Sequence, residues 1–363
     1  MEKEAIKHTY FELNRLIGVT GREQEVIRYC KEKAEPYADS VEVMANGNLI
    51  VTFDSGTEGP SVMISAHTDE IGYIVKYIMP EGFIQFEKIG GLNIKTMPAR
   101  RVLLQGRKGI IPGIIGLTPG HVQTAQETEH VFGTKDSYID VGAFSAREVQ
   151  EMGIEVGTRI VPDSPAIEMY NKDLVTGRAA DDRIGCAVLL ELCRHIRQMN
   201  FTGRLHLVFS VMEEVYVIGA AQASRYLNPD YCILLDTFVA GGTPEVSRRR
   251  LNCDIGKGPV ISYIDIIPGV GASLQNDRLA EAVREISAER DIPVQYITMA
   301  EDRYGGDAMA VMRNGNQCPC LTLTIPRRYS HSPSELFHMN DAWNAYRILF
   351  YLMEKKLDLN FLA

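Results

Sequence analysis

Apolar positions along the chain recur at two periods, and the change from one to the other marks out its elements. Residues 2–17 and 22–37 carry apolar side chains at helical spacing on either side of a Gly-Val-Thr-Gly turn. A strand follows, then the tight-turn pair Asn46-Gly47 and a second strand over 49–53. Residues 62–66 form a short, nearly continuous apolar strand that stops at His67 and Asp69. From about 73 to 165 the chain breaks into β-like pieces (YIVKYI, FIQFEKI, RVLLQG, GIIPGIIGL) punctuated by glycine and proline. Its one expected helical element lies within 138–153. That pattern predicts a small all-β barrel or sandwich inserted into the first domain.

Beyond residue 165 the α/β alternation resumes. Asp181 and Asp182 precede a helix over 184–196. Leu205, Leu207, Phe209 and Val211 alternate at period two as a buried strand, which runs into Glu213 and Glu214 before a helix opens at Gly219. A strand over 231–235 is expected to end at Asp236. A helix over 279–290, strands over 294–298 and 318–325, and a helix over 341–357 complete the pattern. The reading is an α/β fold in three stretches: 1–73 and 166–363 as one domain, with 74–165 inserted as a smaller β-rich one.

Composition narrows the function classes. At 363 residues the chain can hold two domains, and 38 basic against 47 acidic residues give a net charge of −9. Nucleic acid is therefore a poor partner, since phosphate binding needs clustered Lys and Arg. The one basic cluster, Arg248, Arg249 and Arg250, reads as a solvated loop. The charged, helix-patterned N-terminal residues do not read as a secretory signal, and no stretch approaches the ~18 apolar residues of a membrane span. Seven cysteines form no CxxC pair, and Cys318 and Cys320 flank a proline as buried free thiols. The expectation is a reduced cytoplasm, with no disulfide framework and no thiolate zinc site.

The chemistry lies in where the polar residues fall. Four core strands deliver a metal-capable side chain at or just beyond their C-terminal ends: His67, the pair Glu213 and Glu214, Asp236, and His331. Asp181 and Asp182 add a further acidic pair at a helix start. In open α/β sheets this is the ligand-binding edge. Two histidines and several carboxylates suit two divalent ions about 3.5–4 Å apart, one carboxylate bridging them. Such a site lowers the pKa of a bridging water and polarises a carbonyl, while a spare carboxylate moves the proton. Each residue also has a bland reading: a buried histidine, a turn cap, an N-cap pair. Their convergence is what favours the metal reading. HExxH, GxSxG, GxxxxGK[ST] and GxGxxG are all missing from the sequence.

These segments resemble the M42 family of dinuclear metallo-aminopeptidases, the glutamyl and tetrahedral aminopeptidases. AHTDEIGYIV from Ala66, YIDVGA from Tyr138, RAADDRIGCAV from Arg178, EEVYVIGA from Glu213, IGKGP from Ile255, GGDA from Gly305 and RYSHSP from Arg328 match in order and spacing. The resemblance implies a mixed central sheet flanked by helices, with the inserted barrel used for dimerisation and the dimers assembled into a dodecamer. It implies one ion on His67, Asp181 and Asp236, and a second on Asp181, Glu214 and His331. Glu213 would be the general base, attack would come from a metal-held hydroxide, and Asp69 would orient His67. Two divalent ions per subunit, zinc or cobalt with manganese a further option, and short peptide substrates follow from the same likeness.

The chain departs from the family pattern at three places. Tyr216 stands where glycine usually follows EEV, with Val217 and Ile218 in place of Leu-Arg. Thr237, Phe238 and Val239 replace a Val-Thr-His run, and GGDA lacks the usual threonine. The bulk of Tyr216 and Phe238 is expected to narrow or redirect the substrate pocket. Two other functions use the same residues: an amide hydrolase or deacylase on another small substrate, and a non-catalytic metal-binding assembly subunit.

Overall fold

The computed structural model describes residues 2–357. Its centre is four parallel strands lying side by side in the order Arg204–Ser210, Ser61–His67, Tyr231–Val239, Cys320–Arg328. Leu49–Asp54 and Ser40–Val43 extend one edge in antiparallel fashion. Glu335–His338, Leu174–Gly177 and Ile167–Glu168 extend the other. Val260–Ile267, Gly271–Leu274 and Gln295–Arg303 branch from Cys320–Arg328, so the sheet is mixed and has twelve strands.

Period-two alternation along these strands buries both faces. Val62, Ile64 and Ala66 pack toward one helical layer and Met63 toward the other. The first layer holds Glu2–Arg15, Ala180–His195, Asp277–Arg290 and Met339–Glu354; the second holds Gly219–Leu227 and Asp307–Asn314. Ala180–His195 is buried along most of its length, its apolar run from Ile184 to Leu190 wholly so. Trimming one of its core leucines to alanine would cost about 2–5 kcal/mol.

Between His67 and Ile167 the chain leaves the sheet and closes a barrel. Its strands follow one another as Gly72–Ile78, Ile84–Ile89, Ile139–Asp140, Gly109–Ile115, Arg101–Gly106 and Arg159–Pro162. Closure removes the exposed strand edges, and the barrel has its own core around Tyr73, Phe86, Val102, Leu104 and Ile139. It contains more helix than expected. Besides Ala146–Glu151 there is a short helix, Ala125–Glu129, closed by a capping box between Thr124 and Glu127. Five residues without an apolar face show no periodicity, so the T-x-x-E spacing was its only signal.

Two further expectations change. Asp236 lies within its strand, which continues to Val239 and pairs Thr237, Phe238 and Val239 with Ile325, Pro326 and Arg327. The cysteines at 318 and 320 acquire a third neighbour. Strand pairing sets Cys232 beside Cys320, and its Sγ lies 3.2 Å from that of Cys318. All seven cysteines are free and buried. Among the described residues no helix is long and apolar enough to cross a membrane.

Candidate active site

The four parallel strands deliver their polar residues to one edge. His67 is the last residue of its strand, Glu213 and Glu214 lie three and four residues past Ser210, and His331 lies three past Arg328. Asp181 arrives from the opposite direction, at the start of Ala180–His195, where it and Asp182 depart from helical backbone angles. Its two carboxylate oxygens face different histidines. Oδ1 lies 3.2 Å from His67 Nε2, and Oδ2 lies 3.3 Å from His331 Nε2. Asp236 Oδ1 stands 3.8 Å from His67 Nε2, and Glu214 Oε2 stands 3.5 Å from His331 Nε2. The residues thus sort into two triads sharing Asp181, His67–Asp181–Asp236 and Asp181–Glu214–His331, each with donor atoms within 4.8 Å of one another.

A frame of hydrogen bonds holds these groups in place. Asp69, fully buried, accepts the backbone N–H of Glu213 through Oδ1 and that of Glu214 through Oδ2, both at 3.0 Å, and the Thr20 hydroxyl at 2.8 Å. His67 Nδ1 is 3.2 Å from the Asp69 carbonyl and 3.5 Å from its carboxylate. Next in sequence, Glu70 pairs with both Arg178 and Arg183, which flank the Asp181 turn. Glu335 accepts the backbone N–H of Asp181 at 3.1 Å and of His331 at 2.9 Å. Thr20, Glu70 and Glu335 were not singled out in the sequence, because each serves through a distant hydroxyl contact, paired charges or backbone groups that local spacing does not reveal.

Close approach also needs glycine. A Cβ on Gly91 would sit 2.5 Å from His331 Nδ1, and one on Gly306 would sit 2.4 Å from Asp236 Oδ2. Gly306 is the residue that stands where threonine was expected, so the space that side chain would fill is taken here by the Asp236 carboxylate.

Crowded acids leave their mark on protonation. Burial, then the neighbouring carboxylates, push Glu213 and Asp236 well above the usual carboxylate range, and Glu214 up to about 7. Burial acts on Asp181 in the same direction, but Arg327, His331 and His67 outweigh it and hold it well below that range. Glu214 Oε1 and Asp182 Oδ2 are buried with no hydrogen-bond partner. A buried carboxylate oxygen left without a partner inside a triad, as Glu214 Oε1 is, is costly unless a cation shares the site. The donor set therefore fits divalent ions.

A family profile described as M42 glutamyl aminopeptidase matches residues 47–348. The chain belongs to the M42 peptidase family. It is accordingly a peptide hydrolase. FrvX of Escherichia coli (strain K12), named as an aminopeptidase, is 33% identical over 325 residues, covering 89% of this chain and 88% of its own. Among solved structures, a TET aminopeptidase from a marine-sediment Thaumarchaeota archaeon superposes with a TM-score of 0.90 at 32% identity, covering 97% and 96% of the two chains. The Pyrococcus horikoshii TET1 peptidase, described as able to assemble into a tetrahedron or a large octahedral shell, does so with a TM-score of 0.84 at 28% identity, covering 97% and 100%.

In this M42 peptidase the two triads open onto a cavity of about 200 Å³, whose wall includes Thr237, Val239, Ile267, Tyr304, Arg327 and Ser330. Tyr216 and Phe238 are not part of that wall, which corrects the expectation that they crowd the pocket. The Tyr216 side chain points outward, 77% exposed, while Phe238 is fully buried with its ring 4.4 Å from that of Tyr304. Phe238 thus reaches the cavity indirectly, through neighbours such as Tyr304, which also bonds the Thr237 carbonyl. Tyr216 has φ +68°, a left-handed conformation that glycine adopts without strain, which accounts for glycine as the usual residue there. A larger groove of about 640 Å³ lies at the other end of the parallel strands, against Val62, Leu205 and Tyr231, away from both triads.

Proposed function

We propose that this chain is a two-metal aminopeptidase that removes N-terminal residues from short peptides. The observation that carries the reading is Asp181, whose two oxygens lie 3.2 and 3.3 Å from two different histidines, as a bridging ligand requires. His67, Asp181 and Asp236 would hold one divalent ion, and Asp181, Glu214 and His331 the other. Zinc or cobalt suits these ligands, and manganese is accepted by the same set. Bound there, the ions would acidify a water and polarise the scissile carbonyl.

The remaining steps belong to the chain. Glu213 lines the cavity, and burial keeps its affinity for a proton high. It takes a proton from the attacking water and returns it to the leaving amine. Asp69 fixes the backbone from which Glu213 and Glu214 project and steadies the His67 ring. The small volume of the cavity, about 200 Å³, favours short substrates.

The barrel, roughly residues 74–165, would serve as the dimer contact, with homodimers building a larger shell in a cytoplasmic setting. The tetrahedron or octahedral shell described for the Pyrococcus horikoshii relative supports assembly into a larger shell. The deciding experiment is the metal content of the purified chain, paired with hydrolysis of free and N-blocked aminoacyl amides after loading with zinc, cobalt or manganese. Two ions per chain and turnover on free N-termini alone are expected. Turnover on blocked amides would replace the aminopeptidase with an amide hydrolase, and two ions without turnover would leave a metal-binding assembly subunit.

A further inference from the structure

Arg327 is a buried cation set against the shared carboxylate. It lies on Cys320–Arg328, is 2% exposed, and its guanidinium bonds Asp181 Oδ2. That oxygen is the one facing His331. Nε of Arg327 donates to Thr237 Oγ1 at 2.6 Å, and the same hydroxyl donates to Asp181 Oδ1 at 2.9 Å. Nη1 lies 3.3 Å from Glu335 Oε1. The guanidinium is thus hydrogen-bonded to Thr237 and Asp181 and ion-paired with Glu335, and an arginine cannot shed its charge.

The arrangement is asymmetric between the two triads. On the His67 side, no arginine or lysine among the described residues forms an ion pair with Asp181 Oδ1 or Asp236, and the His67 side chain is 2% exposed. On the His331 side, the shared oxygen already accepts from a permanent cation, and the His331 side chain is 34% exposed. A carboxylate oxygen engaged by a guanidinium offers less charge to a dication, and two cations on one oxygen repel.

We propose that Arg327 competes with the divalent ion held by Asp181, Glu214 and His331, and so sets the affinity of that position below that of the His67 position. The inference rests on the two-metal reading above. Arg327 is a positioning residue here, acting through Asp181. Thr237, one of the departures from the family pattern, acts with it by holding Nε. The consequence is a peptidase in which one ion stays and the second exchanges with the surrounding divalent pool, so that occupancy of the His331 position gates turnover.

The test is equilibrium dialysis of the full chain against Mn²⁺, a probe the three-cysteine cluster disfavours because soft thiolates select other ions. Bound ion is counted by electron paramagnetic resonance. The wild type should bind two ions with clearly unequal affinities. Arg327→Met should tighten the weaker position by roughly 10–100-fold, the range over which partners of metal ligands act, and leave the tighter one unchanged. Arg327→Lys, which keeps the charge and loses the fork, should fall between. Because Arg327→Met strands the buried Glu335, the double variant Arg327→Met/Glu335→Gln is measured alongside and should show the same selective tightening. Two ions of equal affinity, or a weaker position unmoved in both variants, would overturn the role of Arg327 and leave the two-metal reading standing. Fewer than two ions would overturn both.

Discussion

The carboxylate of Asp69 accepts the backbone N–H of Glu213 at 3.0 Å. Its other oxygen does the same for Glu214, also at 3.0 Å. One fully buried acid on the Ser61–His67 side thus fixes the two glutamates that follow Arg204–Ser210, and its backbone carbonyl meets the His67 ring. Asp69→Asn keeps the shape but offers one acceptor oxygen in place of two, so one glutamate amide loses its partner. We expect metal affinity and kcat/KM each to fall by roughly 10–100-fold, with the fold retained. Calorimetric metal titration beside steady-state kinetics checks this, and an unchanged titration would confine Asp69 to a packing role.

Glu213 and Glu214 are adjacent in sequence yet are given different work by geometry. Both line the cavity, but Glu214 Oε2 faces His331 within a triad, whereas Glu213 belongs to neither triad. Glu213→Gln should therefore keep two bound ions and lose turnover by about 10²–10⁴-fold, the usual contribution of a general acid–base. Glu214→Gln should lose metal first. If the two variants behaved alike, their separate roles would be wrong.

Much of this was legible in the sequence because strand periodicity and strand ends are local features. His67, Glu213, Glu214 and His331 stand out as polar residues at the close of apolar runs, and Asp181 as an acid at a helix start. The neighbourhood that organises them is not local. Glu335 reaches Asp181 across 154 residues and Arg327 reaches it across 146. Nothing in RRYSHSP separates an arginine aimed at the site from one in solvent. Strand Glu335–His338 and helix Asp307–Asn314 went unread for a related reason. Each is short, and its apolar residues are explained only by the sheet it joins.

The same limit applies to Tyr216 and Phe238, whose bulk is visible in the sequence while their direction is not. Since Tyr216 is exposed and strained at φ +68°, Tyr216→Gly should leave KM and kcat within about twofold. Relief of left-handed strain, about 1–2 kcal/mol, should slightly exceed the ~0.5–1 kcal/mol entropic cost of glycine and raise the melting temperature. Phe238→Ala should cost about 3–5 kcal/mol of stability, as emptied aromatic sites do, and free Tyr304 to move into or out of the cavity. Its KM for bulky N-terminal residues should shift while that of Tyr216→Gly does not. A KM shift in the Tyr216 variant would return that side chain to the pocket.

Gly306 offers a steric test of the His67 position that leaves every ligand in place. Its φ of −143° is open to any residue, so alanine introduces no backbone strain there. The added Cβ would meet Asp236 Oδ2 at 2.4 Å, and Asp236 has little freedom to retreat, since its other oxygen accepts the Thr237 N–H at 2.6 Å. Gly306→Ala should therefore displace Asp236 and weaken the ion held with His67 by roughly tenfold or more, while the His331 position changes little. Dialysis against a single divalent metal resolves the two positions. Gly91→Ala, whose Cβ would press on His331 Nδ1 at 2.5 Å, should give the mirror result. Equal weakening of both positions in both variants would mean that the two triads act as one site, with Asp181 passing any displacement of one ion directly to the other.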